Sequence, residues 1–339
     1  MPISSISSSL SHYPFATSAS SAYLVADLKN RIVTGDHNAF IAALENAKAA
    51  DISIDVEIDS DKNTLLMYAL RKGRYHIATH LLEMGADHKI TDDDGNTVLM
   101  LLFSHYVTDA DLSEATRQAF LELSGKLINK EGDINRVNDR KETAAMIALS
   151  SGIDDDMLMT LLALMEPRGL NVNLYDADGH SAMTKAIIFT PGTTVVKKII
   201  DMGFKVDDFA TLSFLQKRRL PGADNFMNYH QYQYTPLYFA IERNDYDKVK
   251  LLLDKGANGN GFSLWDVNFR GARKQITPLR LAEKLGHKDI VKLLMDRGFN
   301  DSRSSSRWNS SDSEESGTVS LSDIESYQDL LFDSDEPIV

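Results

Sequence analysis

The chain contains no cysteine, which rules out disulfides and thiolate metal sites and leaves redox chemistry silent about compartment. Proline is scarce at 8 of 339 residues and tryptophan scarcer at 2. No apolar run approaches the roughly 18 to 20 residues that span a bilayer. The first 21 residues hold nine serines without a basic start or a continuous apolar core, so no secretory signal is expected there. Catalytic signatures are missing too: there is no Gly-rich phosphate loop, no His-Glu-x-x-His zinc pattern and no Gly-x-Ser-x-Gly elbow.

What the chain does have is self-similarity. Thr235, Pro236, Leu237, Tyr238, Phe239 and Ala240 return 42 residues later as Thr277, Pro278, Leu279, Arg280, Leu281 and Ala282, and each copy leads into a second apolar helix pattern ending at Gly256 or Gly298. A fuller unit runs from Asp59 to Ile90. Thr64 through Ala69 open a short helix that breaks at Gly73, then Ile77, Ala78, Leu81 and Leu82 recur at helical spacing until Gly85, Ala86 and Asp87. Thr97 restarts the pattern 33 residues after Thr64, and weaker copies begin at Thr143 and Ser181. The intervals between starts are 33, 46, 38, 54 and 42, so the excess over 33 belongs in loops or longer helices.

The Thr-Pro-Leu opening, the mid-repeat glycine and the closing Gly-Ala-Asp or Gly-Ala-Asn resemble ankyrin repeats. The resemblance implies an all-α solenoid of about six to seven helix-turn-helix units with β-turn or hairpin fingers. Physical chemistry agrees, because helices of about eight residues do not persist alone and must bury alanine and leucine against the next unit. The Thr hydroxyl is expected to cap the first helix and proline to fit its first turn. Gly85, Gly256 and Gly298 fall where a helix end calls for a left-handed residue. The expected organisation is a Ser-rich disordered leader at 1–21, an array at 22–300 and an acidic disordered tail at 301–339. Within the array a divergent cap covers 22–58 and insertions fall at 104–119, 208–234 and 259–275.

Charge is unevenly placed. The net charge is -13, and residues 301–339 carry ten acids and two bases, a net of -8 that leaves the array only about -5. Ile324, Tyr327, Leu330 and Leu331 could line one face of an acidic amphipathic helix formed on binding. Ser311, Ser320, Ser322 and Ser326 each precede an acid by three positions, a spacing suited to acid-directed kinases. The tail also resembles the C-terminal translocation signals of type IV secretion substrates, several of which are ankyrin proteins.

In ankyrin proteins the finger tips and the exposed ends of the first helices contact partners. Carried over by register, that implies Asp93, Asp94, Asn96, Asp139, Arg140, Glu142, Asp178 and His180 as partner-binding positions. Arg71, Lys72, His105, Glu242 and Arg243 sit at helix ends. The 259–275 insertion adds Trp265, Phe269, Arg270, Arg273 and Lys274, the aromatic and arginine composition of interface hot spots. Its alternative reading is that Trp265 and Phe269 fold back and seal the stack. The 208–234 insertion interleaves Lys217, Arg218 and Arg219 with Tyr229, Tyr232 and Tyr234, but three adjacent bases in an acidic chain argue against nucleic acid.

His76 and His80 stand four apart on one helical face, yet the repeat register supplies no third ligand, so no metal site is expected. No cofactor and no catalytic residue is expected either. Asp154, Asp155 and Asp156 read as acids at a helix N-terminus. The sequence therefore points to a monomeric, soluble, non-catalytic scaffold for a protein partner. It would act in a host cell if it is a secreted bacterial effector. A eukaryotic cytosolic adaptor with a phosphorylated tail, and an enzyme hidden in the divergent repeats, are the alternatives.

Overall fold

The computed structural model describes residues 19–106, 113–208, 210–218, 226–260, 264–267 and 273–299. Residues 1–18 of the leader, the tail and its serines and apolar positions lie outside these residues, as do Phe269 and Arg270, while Ala19, Ser20 and Ser21, expected in the disordered leader, open the first helix.

Among the described residues seven helix pairs follow one another. The cap is α1 (Ala19–Thr34) with α2 (His37–Ala49), and six repeats follow: α3 (Leu65–Arg71) with α4 (Tyr75–Glu83), α5 (Val98–Ser104) with α6 (Glu114–Lys130), and α7 (Ala144–Ser150) with α8 (Asp155–Met165). The last three are α9 (Ala182–Phe189) with α10 (Thr194–Asp201), α11 (Pro236–Glu242) with α12 (Tyr246–Asp254), and α13 (Pro278–Leu285) with α14 (Lys288–Asp296). All six expected starts cap their helices: the side-chain oxygens of Thr64, Thr97, Thr143, Ser181, Thr235 and Thr277 each accept from the amide three residues on. Pro236 and Pro278 occupy the first helical turn. At the far end of α4, Gly85 has φ +91° and its amide and that of Ala86 satisfy Leu82 and Leu81, the paired bonds of a Schellman stop.

The first helices form an inner layer and the second helices an outer one, with the core between and along them. Position in the stack sets composition. Helix α5 is apolar all round and buries every residue from Val98 to Phe103, being packed between α3, α7 and α6. Helix α4 buries only one stripe, Tyr75, Ile77, Ala78, Leu81 and Leu82, because its other face meets water. Phe120 of α6 fills the seam where Tyr75, Phe103 and Tyr106 converge.

The excess length of the long intervals sits in one helix and two hairpins. The step from Thr97 to Thr143 is partly absorbed by α6, 17 residues against nine in α4. The 208–234 insertion is a hairpin of β1 (Ala210–Arg218) and β2 (Phe226–Tyr234), and the 259–275 insertion contributes β3 (Leu264–Val267) and β4 (Arg273–Ile276). The all-α description holds for the stack, while these two fingers pair with each other through β2 and β3 into one antiparallel sheet ordered β1-β2-β3-β4. A lone two-stranded hairpin is marginal in water, and joining two gives each an extra paired edge. The shorter fingers show only isolated bridges, Glu57 with Thr64, Val137 with Thr143 and Tyr175 with Ser181.

Candidate partner-binding surface

Each finger of the first four repeats begins with an Asx residue that organises it. The Asp92 carboxylate accepts from the amides of Asp94 and Asn96, and Asp176 does the same for Asp178 and His180. Asp59 and Asn138 accept from the amides of Asn63 and Glu142. Asp92, Asn138 and Asp176 are buried, so these bonds are made away from water, where an unmet group would be costly.

Side chains then link one finger to the next. Arg71 donates to Asn63 Oδ1 at 2.8 Å and to Asp92 Oδ2 at 2.7 Å; Asn138 donates to Asn96 Oδ1 at 2.9 Å. Lys185 donates to Glu142 Oε1 at 2.8 Å and stands 3.1 Å from Asp176 Oδ2. The result is a polar ladder that runs from the first repeat to the fourth. Burial raises the Asp176 carboxyl pKa, but the His180 hydrogen bond and the Lys185 charge outweigh it and hold the group below the usual carboxylate range. Beside Arg71, burial and then the guanidinium charge depress the His105 imidazole.

The tips are joined by backbone as well. The Asp139 amide donates to the Asp94 carbonyl at 3.0 Å and the Ala177 amide to the Arg140 carbonyl at 2.8 Å. Lys62 reaches Asp93 at 2.7 Å. The approach is close at Gly95, which has φ +74° and where an added Cβ would stand 2.8 Å from Asp139 Oδ1. Only glycine fits both requirements.

The positions implied from the sequence therefore divide. Asp93, Asp94, Asp139, Arg140 and Asp178 are exposed on a row of linked tips. Asn96, Glu142 and His180 are half-buried, with Asn96 and Glu142 as rungs of the ladder and His180 against Asp176, a role the register could not distinguish from contact. Trp265, Arg273 and Lys274, expected on a projecting loop, lie in strands: Trp265 pairs with Gln233 on one side and Gln275 on the other, while Val267 opposes Arg273 and Asp266 opposes Lys274. Neither the loop reading nor the end-seal reading of Trp265 anticipated a central strand. Asp154 caps α8 by accepting from Met157, as its acidic neighbours implied.

Asp176, Asp178 and His180 bring carboxylate and imidazole atoms within 4.8 Å of one another. The Lys185 ammonium and two backbone amides already neutralise Asp176, so a cation there would have to displace them. Two open grooves are described elsewhere, about 260 Å³ beside Glu131, Ile134 and Arg168, and about 470 Å³ between the start of α10 and α12. Among the described residues no helix is long and apolar enough to cross a membrane.

Paired short helices with an N-cap Thr or Ser every 33 residues or more, Schellman stops and fingers bonded tip to tip point to one family, and two family models match: Ankyrin repeat over residues 61–93 and Ankyrin repeats (3 copies) over 211–305. The repeats at 61–93 and 211–305 are ankyrin repeats. The ankyrin repeat domain of Bcl-3 superposes with a TM-score of 0.50 at 18% identity, covering 78% of this chain and 97% of that one. Phosphocholine transferase AnkX of Legionella pneumophila is 30% identical over 115 residues, 31% of this chain and 12% of that protein. Putative ankyrin repeat protein FPV031 of Fowlpox virus is 24% identical over 193 residues, 57% of this chain and 48% of that protein. The chain thus spans less than half the length of either relative.

Proposed function

We propose that this ankyrin stack is a non-catalytic scaffold that grips a protein partner on its concave face and finger tips. The observation that carries the reading is the row of tips fixed before any partner arrives, with Asp94 bonded to Asp139 and Arg140 to Ala177 through the backbone. Loops already ordered lose little entropy on binding, so more of the contact energy appears as affinity. Exposed Asp61, Asp93, Asp94, Asp139 and Asp178 outnumber exposed Lys62, Arg140 and Lys141 on this rim, where Lys62 pairs with Asp93 and Arg140 with Asp178, and the acidic excess steers a basic partner surface and sets its direction along the groove. Partners captured by the wild-type array should be lost by one carrying Asp93→Ala, Asp94→Ala, Asp139→Ala and Asp178→Ala, with its melting temperature kept. Retention of the same partners at the same affinity would refute the proposal.

A bacterial secreted effector is the setting supported by local similarity to a Legionella protein and by the acidic 301–339 segment. Fusing a translocation reporter to the full chain and to a chain ending at residue 300 tests it. Equal delivery of the two would reject a signal in that segment.

A further inference from the structure

One tyrosine ring on the inner layer holds two ammonium groups. Tyr68 of α3 is half-buried at the seam where α1 of the cap stacks on the first repeat. Lys29 Nζ, from α1, stands 4.9 Å from the ring centroid, and Lys72 Nζ, one turn on from Tyr68, stands 5.4 Å from it. A ring face attracts cations but carries no net charge, so both positive charges stay uncompensated. Among the described residues neither ammonium has a carboxylate within ion-pair distance. Four inner helices in succession, α3, α5, α7 and α9, contain no acidic residue. Asp92, the carboxylate that Arg71 reaches, is buried and already accepts from Arg71, Asn96 and two backbone amides. The excess is felt at His105 in the next repeat, whose imidazole is lowered by burial, then by the Arg71 charge, and more weakly by Lys72.

We infer that Lys29, Tyr68 and Lys72 form an anion site that takes a phosphate monoester carried by a side chain of the partner protein. The inference rests on the scaffold reading and adds to it the partner's chemistry. Charge count selects the ligand: two ammonium groups match the nearly double charge of a phosphate monoester at neutral pH, whereas one carboxylate leaves one of them unmatched. Lysine binds phosphate as a point charge on a flexible stem, and the shared ring keeps the two stems together. Position selects the source of the phosphate. Arg71, next to Lys72, reaches the fingers at Asn63 and Asp92, so the site lies beside the acidic rim. A membrane surface or a nucleic acid would press many anions against those acids, while a single phosphorylated residue brings one. A partner that is basic along the finger tips and phosphorylated at the cap end fits both surfaces.

The test titrates the isotope-labelled full chain with O-phosphoserine at low salt and follows the backbone amides by NMR. Saturable shifts should fall in residues 19–34 and 65–72, with a dissociation constant in the millimolar range or below. Lys29→Met combined with Lys72→Met keeps unbranched stems against the ring and removes both charges. It should weaken binding at least about tenfold, the worth of one charge-assisted hydrogen bond. Lys72→Met alone, at an exposed position that folding tolerates, should weaken it severalfold, and Lys126→Met in the outer layer should leave it unchanged. No saturable shift in the millimolar range, or full affinity in Lys72→Met and the double variant, would overturn the site. Equal affinity for acetate would overturn the choice of phosphate, and capture by phosphatidic acid vesicles that depends on Lys29 and Lys72 would overturn the protein source. No partner is present in the titration, so its failure leaves the capture experiment on the acidic rim to stand or fall separately.

Discussion

The ammonium of Lys248 is buried against the carbonyl oxygen of Thr190, 58 residues earlier, and donates as well to Ile187 at 3.0 Å. Those carbonyls close α9, where the helix dipole is negative, and Asp245 at 3.0 Å balances the charge. One side chain thus fastens the fifth repeat to the fourth across the longest interval in the chain. Outer-layer packing is weakest at the same step: the 470 Å³ groove opens between the start of α10 and α12, and Lys255 joins their far ends by reaching Asp201 at 2.7 Å.

Lys248→Met is expected to lower stability by about 2–4 kcal/mol, since it leaves the Ile187 and Thr190 carbonyls without their donor and Asp245 without its counter-charge. Urea denaturation measures the loss. Hydrogen exchange should place it at the α9–α11 seam, with α3 to α7 protected as before, because each repeat contacts only its neighbours. Uniform loss of protection would contradict a local clamp.

Asp176 supplies an acid-sensitive contribution. Its folded pKa lies below the ordinary value, so its stabilisation is present above about pH 4 and is lost as pH falls through the depressed folded value. Asp176→Asn should therefore cost about 1–3 kcal/mol at pH 7, and progressively less as the medium is acidified below pH 4. Paired melting curves from pH 7 to pH 3 check this; a gap that stays constant would deny the ionised carboxylate its part in the ladder.

Glu242 behaves oppositely. Burial raises its pKa despite the Tyr238 hydroxyl and Arg243, so its folded state favours the protonated acid. That contribution is complete below the ordinary glutamate value, about 4.3, and is lost as pH rises through the raised folded value. Glu242→Gln keeps an acceptor for Tyr238, found at 3.3 Å, and removes the buried charge. It should raise stability at pH 7 by up to about 1 kcal/mol and give no gain at pH 4. A loss of stability at pH 7 would show that the carboxylate is needed as an anion.

Trp265→Pro probes the joined fingers. A proline inside a strand flanked on both sides disrupts the ladder. Amide protection should fall in β2, β3 and β4, while α11 to α14 keep theirs. Unaltered protection of β2 would mean that the two hairpins do not depend on each other.

The helix starts and stops were readable because they are made by residues three to five positions apart. Thr64 meets the amide of Met67, and Gly85 turns the chain where Leu82 and Leu81 need donors. Such contacts form wherever the local residue types allow, so a single strand of letters reports them. The finger tips were half legible: register put Asp94 and Asp139, which are exposed, in the same class as Asn96 and Glu142, which turn inward to neighbouring repeats.

Contacts between distant parts of the chain follow no such local rule. His37 reaches His80, Lys248 reaches Thr190 and Gln233 pairs with Trp265 only because the stacking angle and the insertion lengths bring them together. Local hydrogen bonding and helical period fix the unit and its repetition. The packing of one unit on the next selects which polar side chains are spent inside the stack and which are left exposed.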